Sequence, residues 1–102
     1  MQTAIEVRDN PAKSRFEAVV DGQLSIASYA VQGATITFDH TVVPESLRGR
    51  GIAGQLIAAA LAAARARGLA VMPACSFVAD HMRRDPATHD LLAPAGRAML
   101  RL

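Results

Sequence analysis

Residues 34–72 read ATITFDHTVVPESLRGRGIAGQLIAAALAAARARGLAVM, and the fold turns on how this stretch divides. Its start alternates with a period of two, as a strand does. Ile36, Phe38, His40 and Val42 share one face of that predicted strand, and Thr35, Thr37, Asp39 and Thr41 share the other. Pro44 ends it, because proline has no amide hydrogen to give a ladder. Glu45 to Gly51 is a loop rich in Gly and Arg. From Ile52 to about Arg67 the period becomes helical. Ile52, Leu56, Ala59, Ala60 and Ala63 form a stripe, widened by Ile57, Leu61 and Ala64. Arg65 and Arg67 complement the dipole at the helix end, and Gly68 suits the position after it. Leu69 to Met72 is a short apolar strand stopped by Pro73.

Upstream, Ala4 to Arg8 alternates with Ile5 and Val7 on one face. Ser14 to Val20 points Phe16, Ala18 and Val20 inward. Asp21-Gly22 is a strong hairpin turn because glycine accepts positive φ. Leu24 to Val31 returns, and Gln32-Gly33 turns the chain again. Downstream, Ser76 is a candidate cap for a helix running to about Arg84, before Asp85-Pro86. The tail from Asp90 to Leu102 is ambiguous, since Pro94 and Gly96 interrupt a helix. The order β-β-β-β-α-β-α gives a mixed, mostly antiparallel sheet of the α/β (α+β) class. The crossover through the long helix should be parallel and right-handed.

Composition narrows the partners. The chain has 102 residues, which suits a single domain spanning 1–102. Hydrophobic residues make up 51% and charged residues 20%, so wholesale disorder is excluded. The net charge is only +2 and aromatics are 4%, so neither charge nor stacking residues point to nucleic acid. One Cys excludes an internal disulfide framework and a Cys-based zinc cluster, and the three His show no ligand spacing, so no metal is expected. The N-terminus lacks a basic-then-apolar signal layout. Ile52 to Ala64 is too short to cross about 30 Å of bilayer. A cytoplasmic protein with no membrane partner is therefore expected.

Arg48-Gly49-Arg50-Gly51-Ile52-Ala53-Gly54 lies between a strand and a helix. Small residues let a ligand approach the backbone, and first-turn amides favour an anion. A pyrophosphate fits that chemistry. Gly49-x-Gly51-x-x-Gly54 also matches the dinucleotide fingerprint, but antiparallel strands precede it. No acidic residue follows about 20 positions later to hold a ribose. A P-loop is excluded, since no Gly-Lys-Ser/Thr occurs. The remaining alternative is a tightly packed helix start with solvated Arg side chains.

Arg48-x-x-Gly51-x-Ala53 resembles the Arg/Gln-x-x-Gly-x-Gly/Ala signature of the GNAT acetyltransferases. His40-Thr41-x-Val43 before it and Pro73-x-Cys75-Ser76-Phe77-Val78 after it resemble the small YjdJ-type branch, over roughly residues 5 to 92. The resemblance implies a minimal acetyltransferase core that binds acetyl-CoA. It places the coenzyme A pyrophosphate on Arg48, Gly49, Arg50, Gly51, Ile52, Ala53 and Gly54, and the pantetheine arm along the backbone of Val42 and Val43. The implied activity is acetyl transfer to an amine, carried by a small molecule or a protein. The alternative is a coenzyme A-binding or interaction module without turnover.

Two residues are catalytic candidates. Cys75 precedes a helix, a position that activates a thiol, and it is either a nucleophile or inert packing. His40 is either a general base or a core histidine bonded to a carbonyl. His81 and His89 are expected to be exposed. Arg83 and Arg84 are either a solvated helix end or contacts to the adenosine phosphates, and Asp39 and Glu45 could attract a cationic amine.

Overall fold

A computed structural model describes residues 3–102. Five strands form one sheet in sequence order: β1 (Arg8–Asn10), β2 (Arg15–Val20), β3 (Gln23–Gln32), β4 (Thr35–Val42) and β5 (Ala70–Pro73). The first four pair antiparallel, and β5 runs parallel to β4. The expected mixed, mostly antiparallel sheet is therefore the observed one. Asp21 and Gly22 both take positive φ, 51° and 73°, which makes the two-residue turn that the Asp-Gly pair favours.

Helix α1 (Ile52–Ala66) lies across the sheet, and α2 (Ser76–Arg84) packs against β4, β5 and α1. Leu56, Ile57, Ala60, Leu61 and Ala64 of α1 are buried in one core with Phe16, Ala27, Tyr29, Ile36, Phe38, Val78 and Met82. Ala59 and Ala63 flank that stripe, half-buried. Small Ala side chains let the helix approach the sheet while larger neighbours fill the gaps. Phe16, Tyr29 and Phe38 form an aromatic trio with ring centroids 5.3 to 6.4 Å apart. At the far end of α1, Arg65 makes paired bonds of 2.7 and 2.9 Å to Asp90. That guanidinium holds the Asp90 carboxyl below its ordinary range.

Burial pushes the Tyr29 phenol up to about 12, helped by its 2.6 Å bond to Asp9 Oδ1. The neutral phenol is thus favoured in the folded protein. This contribution to stability is complete below about pH 10 and is lost as pH rises toward about 12. Tyr29 is the chain's one tyrosine, so phenolate absorbance reads it directly. The folded protein should titrate near pH 12. A midpoint near the ordinary value of about 10, with the fold still intact, would contradict this.

Four local expectations are corrected. The first strand is Arg8–Asn10, not Ala4–Arg8. Thr3 and Ile5 spend backbone groups on Arg50 and Gln55, which draws that segment off the sheet; Ile5 and Val7 still pack on the core. Secondly, Cys75 rather than Ser76 occupies the N-cap of α2, and no side chain caps that helix. Thirdly, the tail does contain a helix, α3 (Pro94–Leu100). Pro94 sits in its first turn, where a missing amide hydrogen costs nothing. Gly96 is buried, and a Cβ there would meet Pro73 Cδ and the Val71 carbonyl oxygen at 3.0 Å, so the close packing requires glycine. Finally, His81 and His89 are both half-buried, and His89 Nε2 lies 2.7 Å from the Met82 carbonyl oxygen.

The largest correction concerns β4. Tyr29 pairs with Phe38 but Ser28 pairs with His40, so Asp39 is an extra residue in the ladder. Such a bulge reverses which side chains face the core beyond it. Thr41, not His40, then shares a face with Phe38. His40 and Val42 are exposed on the other face, partnering Ser28 and Ile26. The reading of His40 and Val42 as in phase with Ile36 and Phe38 fails for that reason, and His40 is no core histidine.

Candidate functional site

Beyond Phe38 and Pro73 the two parallel strands no longer pair. The bulge turns β4 at this point, and Pro73 ends β5. The edge of β4 from Asp39 onward therefore has no strand partner among the described residues, and its peptide groups are available to an extended ligand. A groove of about 780 Å³ opens there. Thr41, Val42 and Val43 line one wall, Gly49, Gly51 and Gly54 line another, and Phe77 and Arg84 of α2 close it.

The turn into α1 forms one wall of the groove. Gly49 and Gly51 take φ of 81° and 75°, a region that side chains with a Cβ avoid. Gly51 is the N-cap and brings no side-chain cap. The first-turn amides of Ile52, Ala53 and Gly54 therefore remain for an outside acceptor. A Cβ on Gly54 would meet no atom within 4 Å, so the helix start is open on the groove side. Beneath it, Leu47, Ile52 and Val20 form a small core that anchors the turn. A diphosphate fits this donor set: free amides, exposed glycines and a nearby cation.

Arg48 is that cation. It is exposed, lines the groove and has no ion-pair partner among the described residues. Arg50 is placed differently. Its side chain donates to Thr3 Oγ1 at 3.0 Å and to Asp21 Oδ2 at 2.7 Å, and it does not line the groove. Of the arginine pair on α2, Arg83 bonds Asp80 at 2.9 Å, whereas Arg84 lines the groove.

Cys75 is 7% exposed, and its thiol donates to Thr41 Oγ1 at 3.4 Å. Thr41 itself lines the groove, so the thiol adjoins the place where β4 and β5 part. Cys75 and His40 are not brought together: His40 lies on the outer sheet face, beside the Ser28–Asp39 bond of 2.5 Å. Reading along the sequence gave no site role to Leu47, Gln55 or Phe77, and it missed Thr41 as the neighbour of Cys75. Thr41 was hidden by the bulge; the helical phase that puts Gln55 off the buried stripe was its one signal.

A splayed parallel pair beside a glycine-rich helix start defines an α/β protein whose groove has the shape and donors to suit an anionic, extended ligand. The family model for GCN5-related N-acetyltransferases matches residues 15–91, and the chain belongs to that family. The chain is also similar to the NMR solution structure of a GCN5-like N-acetyltransferase candidate from Staphylococcus aureus. The TM-score is 0.68 at 25% identity, with 86% of this chain and 87% of the other covered.

Proposed function

We propose that the protein binds acetyl-CoA in the groove and transfers its acetyl group to an amine. The observation that carries this reading is the coincidence of two unpartnered sets of backbone groups on one groove: the β4 edge after Phe38 and the first turn of α1. Acetyl-CoA supplies an activated thioester as donor substrate. On this reading Val42 and Val43 align its pantetheine arm by backbone pairing. Arg48, Gly49, Gly51, Ile52, Ala53 and Gly54 hold the pyrophosphate, with the Arg50 backbone inside the same turn. On the same reading Arg84, which lines the groove from α2, meets a further phosphate.

Cys75 receives the acetyl group in this scheme. A bond forms from Sγ to the acyl carbon as the thioester bond to coenzyme A breaks, and the Sγ proton leaves with the coenzyme A thiol. A neutral amine then takes the acyl group and returns a proton to Sγ. Thr41 Oγ1 orients the thiol by accepting its hydrogen bond. His40 has no part in this scheme, because it lies on the opposite sheet face.

Incubation with acetyl-CoA should leave one acetyl group on Cys75, detected by mass spectrometry of the intact chain and of its peptides. Cys75→Ala should give no adduct. An adduct that persists in the presence of an amine panel would favour a binding module without turnover. Amine acetylation by Cys75→Ala at the wild-type rate would overturn the relay and leave direct transfer.

A further inference from the structure

The segment before β1 crosses the turn that precedes α1, and the bonds between them run in both directions. Thr3 donates its amide hydrogen to the Arg50 carbonyl oxygen at 2.9 Å, and Arg50 Nε donates to Thr3 Oγ1 at 3.0 Å. From inside α1, Gln55 Nε2 donates to the Thr3 carbonyl oxygen and, at 3.2 Å, to that of Gly51. Ile5 donates its amide hydrogen to Gln55 Oε1 at 3.3 Å. Arg50 Nη1 reaches Asp21 Oδ2 at 2.7 Å, which ties the same point to the β2–β3 turn.

We propose that Gln55 and Arg50 are positioning residues, which use the Thr3–Ile5 segment as a strap to hold the Arg48–Gly51 turn in its ligand-ready form. The proposal rests on the reading of that turn as the pyrophosphate site, and it removes the Arg50 charge from the ligand contacts. The reason for a strap lies in the turn's composition. Gly49 and Gly51 sit at positive φ, and glycine loses more freedom on ordering than any other residue. Left alone, the turn would spend much of its time in shapes that scatter the amides of the α1 start. Apparent affinity falls in proportion to the fraction of molecules in the competent shape. Gln55 is suited to hold it: Nε2 grips both the strap and Gly51, the residue on which the helix begins, while Oε1 takes a strap amide.

The test uses Gln55→Leu, which keeps helix propensity and approximate size but loses all three bonds. A second variant, Thr3→Pro, removes the strap's amide hydrogen at a position outside every strand and helix, and a thermal melt checks that the core stays folded. Coenzyme A affinity is measured by calorimetry at low and high salt, and amide exchange is measured without ligand. Both variants should raise Kd about tenfold, the result of a tenfold fall in the competent fraction. Exchange of the residue 55 amide, which bonds the Gly51 carbonyl oxygen at 3.3 Å, should accelerate by a similar factor, while exchange in β2 to β4 stays unchanged.

Arg50→Gln separates positioning from contact. A charge that touches the ligand gives a salt-screened interaction. Arg50→Gln should therefore raise Kd with an undiminished salt dependence, whereas Arg48→Gln should flatten it. Arg50→Lys should not restore affinity, since a point charge cannot reproduce the two-armed grip on Thr3 and Asp21. Wild-type affinity and exchange in Gln55→Leu and Thr3→Pro would overturn the proposal. So would a salt response flattened as much by Arg50→Gln as by Arg48→Gln. If the wild type itself showed no affinity for coenzyme A, the functional reading would fall, and the exchange measurement alone would still decide the strap.

Discussion

Replacing Arg48 with Glu should weaken coenzyme A binding by tenfold or more while leaving the melting temperature unchanged. The two halves of this expectation come from the same geometry. Arg48 lines the groove beside Gly49 and Gly51, and its side chain makes no hydrogen bond or ion pair among the described residues. Nothing in the fold depends on it. Against a diphosphate it offers a charge-assisted bond, typically worth about 1.5–3 kcal/mol, or roughly tenfold to a hundredfold in affinity. Glu in its place also adds repulsion. Two like-charged arginines at a helix start oppose the dipole. The structure answers that conflict asymmetrically: Arg50 is neutralised by Asp21, and Arg48 is left facing the groove. Calorimetry on both proteins, with thermal melts alongside, checks the expectation. Equal Kd values would remove Arg48 from the site; a large drop in melting temperature would show that its role is structural.

The largest expected loss of stability comes from Phe38→Ala. Phe38 is 1% exposed, with its ring 6.3 Å from Phe16 and 6.4 Å from Tyr29. Removing such a ring costs about 3–5 kcal/mol through lost burial and the cavity left behind. Small domains are stable by only about 5–15 kcal/mol, so the variant should be marginal. Its melting temperature should fall by about 12 °C or more. The site suffers with the core, because Phe38 is the last β4 residue paired with β5 and the last before the bulge. Its packing fixes where β4 turns away and so where the groove opens. Urea unfolding is the direct check. A loss under about 1 kcal/mol would mean that the aromatic trio is not the support described above.

The parts of the fold that depend on neighbours in sequence were legible from the residues. Phe16, Ala18 and Val20 alternate and are buried; the Ala-rich helix begins at Ile52 as its period predicts; the Asp21-Gly22 turn follows from its composition. What depends on partners far along the chain was not. The period of Ile36, Phe38, His40 and Val42 runs on without a break in the sequence, yet the ladder inserts Asp39. Asp is a poor strand former, and it was the one local hint. That insertion moved His40 to solvent and put Thr41 beside Cys75. The α1 turn was recognisable from its glycines and arginines as a candidate anion site. The division of labour between Arg48 and Arg50 was not, because Asp21 and Thr3 become neighbours of Arg50 only after folding. Likewise Gly96 reads as a helix breaker until Val71 and Pro73 close on it.

In the proposed function, the α1 turn and the free edge of β4 together hold coenzyme A. Titrating the ligand into isotopically labelled protein and following each amide by NMR tests it most directly. The largest shifts should fall on Val42, Val43 and Gly49 through Gly54, with the outer sheet face silent. Saturating ligand that leaves those amides in place, or moves others instead, would contradict it.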